Sequence, residues 1–214
     1  MVITHHGGQC FKITFGERTL AFDPPAKSSS LKAPKFGADI AFISLRHPDM
    51  DGAEQAAHGD REPVVINGPG EYEVAGVFAR GFPTTSSYGC TRDDETRINT
   101  VYLLTFENMK LCFLGALGST ELPRELTAIA DDIDLLFLPI GGAGVLEPSE
   151  AHKLAVKLEP RVIVPMHWSG IGQNEALTQY LKEEGSEGLT PQEKLTVKKK
   201  DVEAMNGTVV VLRA

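Results

Sequence analysis

No stretch of this chain is apolar for long enough to cross a bilayer, and its first residues lack the basic-then-apolar pattern of a secretory leader. A cytoplasmic protein with no membrane partner is the expectation. Cysteine is scarce: Cys10, Cys90 and Cys112 form no CxxC pair, which excludes a zinc knuckle and favours reduced thiols over a disulfide framework. Basic charge is also short, with 21 Lys and Arg against 29 Asp and Glu and a net charge of -8. Nucleic acid, whose binding depends on clustered cations, is excluded as a partner. The one basic run, Lys198 to Lys200, reads as a solvated strand end. Two familiar catalytic signatures are missing too. No G-x-S-x-G elbow surrounds Ser119-Thr120, and Gly68-Pro69-Gly70 lacks the helix start and lysine of a phosphate loop.

What is present is an ordinary core-forming composition, 42% hydrophobic over 214 residues, compatible with one domain spanning residues 1–214. Alternating apolar positions predict strands at Val2 to Thr4, Phe11 to Phe15 and Thr19 to Phe22, followed by a proline- and serine-rich loop over Lys27 to Lys35. Ile40 to Ile43 is a continuous apolar run, the mark of a strand buried on both faces. A short helix is expected over Ala53 to His58, a strand at Val64 to Ile66, and a hairpin of Tyr72 to Val74 with Val77 to Ala79. Residues 83 to 98 are polar and read as an exposed loop. Paired strands then follow at Val101 to Leu104 and Lys110 to Leu114.

Beyond them helix and strand alternate. Helices are expected from Glu121 to Ala130, from a Ser149 cap to Leu158, and from an Asn174 cap to Glu184. The intervening strands are Leu135 to Pro139 and Arg161 to Pro165, and Leu195 to Val197 with Val209 to Leu212 read as a terminal strand pair. Strands early, helices between strands later, and polar loops at strand ends suggest two sheets packed face to face with helices outside.

The most informative loop is Ser44-Leu45-Arg46-His47-Pro48-Asp49-Met50, directly after the apolar Ile40 run. Together with Gly7-Gly8-Gln9-Cys10-Phe11, Asp23-Pro24, Pro139-Ile140-Gly141-Gly142, Glu150-Ala151 and Pro165-Met166-His167-Trp168, in that order, it resembles the metallo-β-lactamase-fold hydrolases over nearly the whole chain. The resemblance implies an α/β fold, the four-layered αββα metallo-β-lactamase sandwich. It also implies a dinuclear zinc site built on a Thr/Ser-His-x-His-x-Asp-His loop, since two zinc ions need several imidazoles and carboxylates.

Laid on that pattern, His47, Asp49 and His167 occupy ligand positions. Leu45 and Met50 stand where histidines are usual, Ser86 lies in the loop that usually supplies another, and Ala116 replaces the aspartate that bridges two metals. In the family's geometry His47 serves one zinc and Asp49 and His167 the other, so neither set is complete. The implied cofactor is none, or at most one weakly bound divalent ion, zinc or manganese. A shifted reading, His47-x-Asp49-x-Asp51, would favour an oxygen-loving ion such as Mn²⁺ or Mg²⁺.

Two functions follow. One is a non-catalytic module binding a small molecule or a protein; a homo-oligomer is equally compatible with the composition. The other is a mononuclear metal-dependent hydrolase of an ester, amide or phosphodiester, with Asp49 as the catalytic residue that orients or accepts a proton. Each residue also has a plainer reading. His47, Asp49 and His167 serve equally as hydrogen-bonded polar groups. His5 or His6, at the end of the first strand, could lend an improvised ligand; His58 and His152 read as helix-surface residues. Asp49, between Leu45 and Met50, is expected to be an uncompensated carboxylate whose removal costs no stability.

Overall fold

The computed structural model describes residues 1–92 and 94–214. In chain order the elements are β1 (Val2–His5), β2 (Phe11–Phe15), β3 (Arg18–Phe22), β4 (Ile40–Phe42), a 3₁₀ turn (Ala53–Ala56), β5 (Val64–Ile66), β6 (Gly70–Val74), β7 (Val77–Ser86), β8 (Arg97–Phe106) and β9 (Met109–Phe113). Then come α1 (Arg124–Thr127), β10 (Leu135–Pro139), α2 (Pro148–Leu158), β11 (Val162–Met166), α3 (Ala176–Glu183), β12 (Leu195–Thr196), α4 (Lys199–Val202) and β13 (Thr208–Val209). They form two mixed sheets, ordered β12-β1-β2-β3-β4-β5 and β13-β11-β10-β9-β8-β7-β6. This is the αββα metallo-β-lactamase sandwich. Among the described residues no helix is long and apolar enough to cross a membrane.

The alternation read from the sequence sets the layers. In β2, Phe11 and Ile13 point inward while Lys12 and Thr14 are partly exposed. The inward set joins Leu20, Phe22, Ile40 and Phe42 from the first sheet to Tyr102, Phe113, Phe137 and Val164 from the second in one continuous core. Phe22 stacks on Phe42 at 4.9 Å between centroids and meets Phe113 at 4.8 Å. Each fully buried aromatic of this kind contributes about 1.5–3 kcal/mol. β10 and β11 are buried along their whole length because helices cover their other face, where Leu136, Leu138 and Ile163 pack against Leu126, Leu154 and Tyr180. The outer layer on the first sheet is thinner, a cluster of Phe36, Ala38 and Ala56 over Ala21 and Ala41.

Several expectations are corrected. The expected loop at 83–98 is strand at both ends: β7 continues to Ser86 and β8 begins at Arg97, with Thr84 opposite Asn99 and Ser86 opposite Arg97, so that among the described residues the connection is confined to 87–92 and 94–96. Thr84 and Thr85 are polar but β-branched and fit a pleated ladder, and the Asn99 amide donates to Thr84 Oγ1 at 2.8 Å. Leu195 and Val209 do not pair with one another. β12 pairs with β1 in one sheet and β13 with β11 in the other, separated by α4. The basic run is not a strand end: Lys199 opens α4, and its ammonium reaches the buried Asp134 carboxylate at 2.7 Å. α1 is only one turn long and starts after Pro123. α2 is capped by Glu147 in a capping box with Glu150, so Pro148 rather than Ser149 opens it, and Glu175 rather than Asn174 precedes α3, without a side-chain capping bond. His58 sits in a bridge with Arg61, off any helix, and His152 lies 3.0 Å from Glu184.

Candidate functional site

The site gathers at the strand ends of both sheets. β4 delivers residues 44–50, β7 delivers Ser86 to Tyr88, β9 delivers Gly115-Ala116, and β11 delivers His167. The first loop is held by Asp23, whose carboxylate accepts from the Ser44 amide at 2.7 Å and the Ser44 hydroxyl at 2.6 Å. Burial pushes the Asp23 carboxyl up to about 8, against the pull of those two bonds. His167 adopts the left-handed region at φ 63, a conformation that costs a β-carbon-bearing residue free energy and persists where surrounding structure enforces it. Its amide donates to Gly8 O at 2.8 Å, and Gly141 lies so close that a β-carbon there would meet the His167 carbonyl oxygen.

The three residues assigned to ligand positions do converge, but another side chain lies among them. Tyr88 meets the His47 ring at 4.9 Å and 70° and the His167 ring at 4.7 Å and 89°. Its hydroxyl donates to Asp49 Oδ2 at 2.6 Å. Ser29 donates to Asp49 Oδ1 at 2.5 Å, and the Asp49 amide donates to His47 Nδ1 at 3.2 Å. Asp49 is therefore a well-compensated carboxylate, contrary to the expectation that it would stand unpaired. The Tyr88 phenol is pushed up by burial, reinforced by the Asp49 carboxylate. His47 is lowered chiefly by burial, with Asp49 opposing and Arg97 assisting.

Leu45, Met50 and Ala116 are buried together with Val145, and Tyr88 and Ile171 pack against them. An apolar cluster thus occupies the positions where the family resemblance implies imidazoles and a bridging carboxylate. Ser86 has a different task. Its hydroxyl donates to Gly144 O and accepts the Tyr88 amide, each at 3.2 Å, fixing the turn that aims Tyr88 inward. Gly89, at φ 68, continues that turn beneath His47, where a β-carbon would meet the ring at 2.6 Å.

His167 is fully buried, and that burial lowers its imidazole to about 3. Its Nδ1 lies 2.7 Å from the Gln9 side-chain nitrogen, which also donates to Gly115 O at 3.0 Å. His167 Nε2 and Gln9 Oε1 are buried without a hydrogen-bond partner. Among the described residues no group of three or more His, Cys, Asp or Glu is arranged to hold a metal. His5 is engaged elsewhere: stacked on Phe11 at 4.6 Å, it has a carbonyl oxygen 3.2 Å from each ring nitrogen, Leu212 O and Gly8 O, one of which takes its N–H, while His6 bonds Thr4. Asp51, the added carboxylate of the shifted reading, is exposed.

Tyr88, Gln9 and Ser29 are the site residues that sequence reasoning missed. Gln9 alone carried a signal, standing within the Gly7 to Phe11 string; Tyr88 and Ser29 lie in polar segments with no distinguishing pattern.

The family model for the β-lactamase superfamily domain matches residues 2–167. A UPF0173 metal-dependent hydrolase of Thermococcus onnurineus is 26% identical over 192 residues, covering 76% of this chain and 82% of that protein. Its counterpart in Listeria monocytogenes is 24% identical over 196 residues, covering 79% and 86%. A Thermotoga maritima crystal structure, assigned to the zinc-dependent hydrolases of the metallo-β-lactamase superfamily, superposes with a TM-score of 0.71 at 27% identity. It covers 99% of this chain and 97% of its own.

Proposed function

This chain belongs to the β-lactamase superfamily, in the company of metal-dependent hydrolases, and we propose that it is a non-catalytic member whose former metal site has become a packed polar and aromatic cluster. Its role is to bind a small molecule or a protein on a stable scaffold. The observation that carries this reading is the position of Tyr88, against both His47 and His167 with its hydroxyl on Asp49. A catalytic zinc needs about three protein donors and an open position for water. Here each surviving donor residue already bonds a protein group, and the neighbouring side chains Leu45, Met50 and Ala116 donate nothing. The donor set does not fit the metal.

The relatives' names favour a second reading, a mononuclear zinc or manganese hydrolase of an ester, amide or phosphodiester. It requires Tyr88 to give up its bond to Asp49 and its place against the two histidines, so that an ion bound there must offset the loss of that packed contact. Chromogenic esters, amides and phosphodiesters assayed with and without added Zn²⁺ and Mn²⁺ separate the two. The non-catalytic reading predicts no metal-dependent turnover; turnover that rises with metal and vanishes in Asp49→Ala would overturn it.

A further inference from the structure

Gln9 meets His167 in the opposite sense from the residue that usually backs a metal-binding histidine. A ligating imidazole donates its remote N–H to a carboxylate, a carbonyl or water, which fixes the tautomer and leaves the other nitrogen's lone pair for the metal. Here the remote nitrogen faces a donor. The Gln9 amide orientation follows from its second bond, because Gly115 O at 3.0 Å can only accept and so requires the NH₂ end. That leaves the other N–H of the same group on His167 Nδ1 at 2.7 Å. A neutral imidazole carries one proton, and with Nδ1 accepting, that proton belongs to Nε2.

We propose that Gln9 is a tautomer lock, a positioning residue that holds His167 as the Nε2–H form and thereby removes its one unoccupied nitrogen as a metal ligand. The inference rests on the non-catalytic reading and supplies its chemistry at a second residue, independent of Tyr88. Locked this way, His167 presents a buried N–H donor with no partner. A metal would have to displace that proton and break the Gln9 bond. Gln9 on the ring and Gly8 O on the amide hold this buried histidine from both ends.

The test needs no variant to begin. In ¹⁵N-histidine-labelled wild-type protein at pH 7, the lock predicts His167 Nδ1 unprotonated and Nε2 protonated. With Gln9 also labelled, it predicts a scalar coupling across the hydrogen bond between the two side-chain nitrogens. A protonated Nδ1 would overturn it. A second measurement compares zinc affinity of Tyr88→Ala with that of Tyr88→Ala/Gln9→Glu, in which a carboxylate accepts from Nδ1 and frees Nε2. At least tenfold tighter binding in the double variant is expected, the scale of an outer-partner effect; equal affinity in the folded pair would contradict the lock. If the wild type is Nδ1–H yet free of zinc, only the lock fails. Tight zinc in the wild type would sink the non-catalytic reading itself.

Discussion

The hydroxyl of Tyr88 rests on Oδ2 of Asp49 at 2.6 Å, and through that one bond an aromatic ring is held against both His47 and His167. The carboxylate that would otherwise demand a cation is satisfied by two hydroxyls, from Tyr88 and Ser29. A short O–H···O⁻ bond is among the stronger hydrogen bonds available to a side chain.

Removing only that hydroxyl should therefore be felt. Tyr88→Phe is expected to lose about 1.5 kcal/mol, the low end for a bond to a charged group because Tyr88 is half-buried. Urea unfolding measures it. Tyr88→Ala, which also empties the space against Leu45, Met50 and Ala116, should lose about 3 kcal/mol. Equal stability of wild type and Tyr88→Phe would mean the bond to Asp49 has no role in holding the site closed.

Asp49→Ala leaves the Ser29 and Tyr88 hydroxyls without their acceptor. A loss of about 2–3 kcal/mol is expected, with Asp49→Asn milder because one carbonyl oxygen remains. Thermal melts in the presence of a chelator isolate this from any metal. A more stable Asp49→Ala protein would instead identify the carboxylate as a retained burden.

Adding donors should not by itself create a metal site. Leu45→His, Met50→His and Ala116→Asp place ligands in the apolar cluster, yet Tyr88 still lies between His47 and His167. Zinc titration calorimetry should find weak binding in the triple variant and markedly tighter binding once Tyr88→Ala is added. Full affinity in the triple variant alone would show that the ring yields readily.

Stability should pass through a maximum near pH 6.5. His5, His6, His47 and His167 are all held below their ordinary 6.5, His6 at about 4 and His167 at about 3, chiefly by burial. The native state then binds fewer protons than the unfolded chain below 6.5, so stability falls on acidification through that window. Asp23, raised from 3.8 to about 8, acts the other way: the native state holds its proton longer, and stability falls as pH rises through about 8. Between 6.5 and 8 it acts against no histidine. Asp23→Asn should flatten that alkaline limb of the melting-temperature profile; a wild-type melting temperature that climbs from pH 6.5 to 8 would contradict the assignment.

Much of the scaffold was legible because its signals are local. The unbroken apolar runs at Leu135–Pro139 and Val162–Met166 mark strands covered on both faces, and Phe11, Ile13 and Phe22 alternate as a half-buried meander requires. Pairing was not local. Nothing near Leu195 says that its neighbour is Ile3, nearly the whole chain away, so β12 and β13 were joined to each other on sequence proximity. The site divided in the same way. His47, Asp49 and His167 could be placed together through motif order, but the inward turn of Tyr88 depends on Ser86 bonding Gly144 from a distant loop. A tyrosine in a polar segment reads the same whether it faces solvent or a buried carboxylate.

The central claim, that this cluster is closed to catalytic metal, is tested most directly by weighing the protein as it is made. Native mass spectrometry with elemental analysis, on protein purified without added metal and without chelator, reports ions per chain. The account predicts zinc and manganese well below one per chain, with no gain after dialysis against micromolar Zn²⁺. One or two tightly held ions per chain would contradict it.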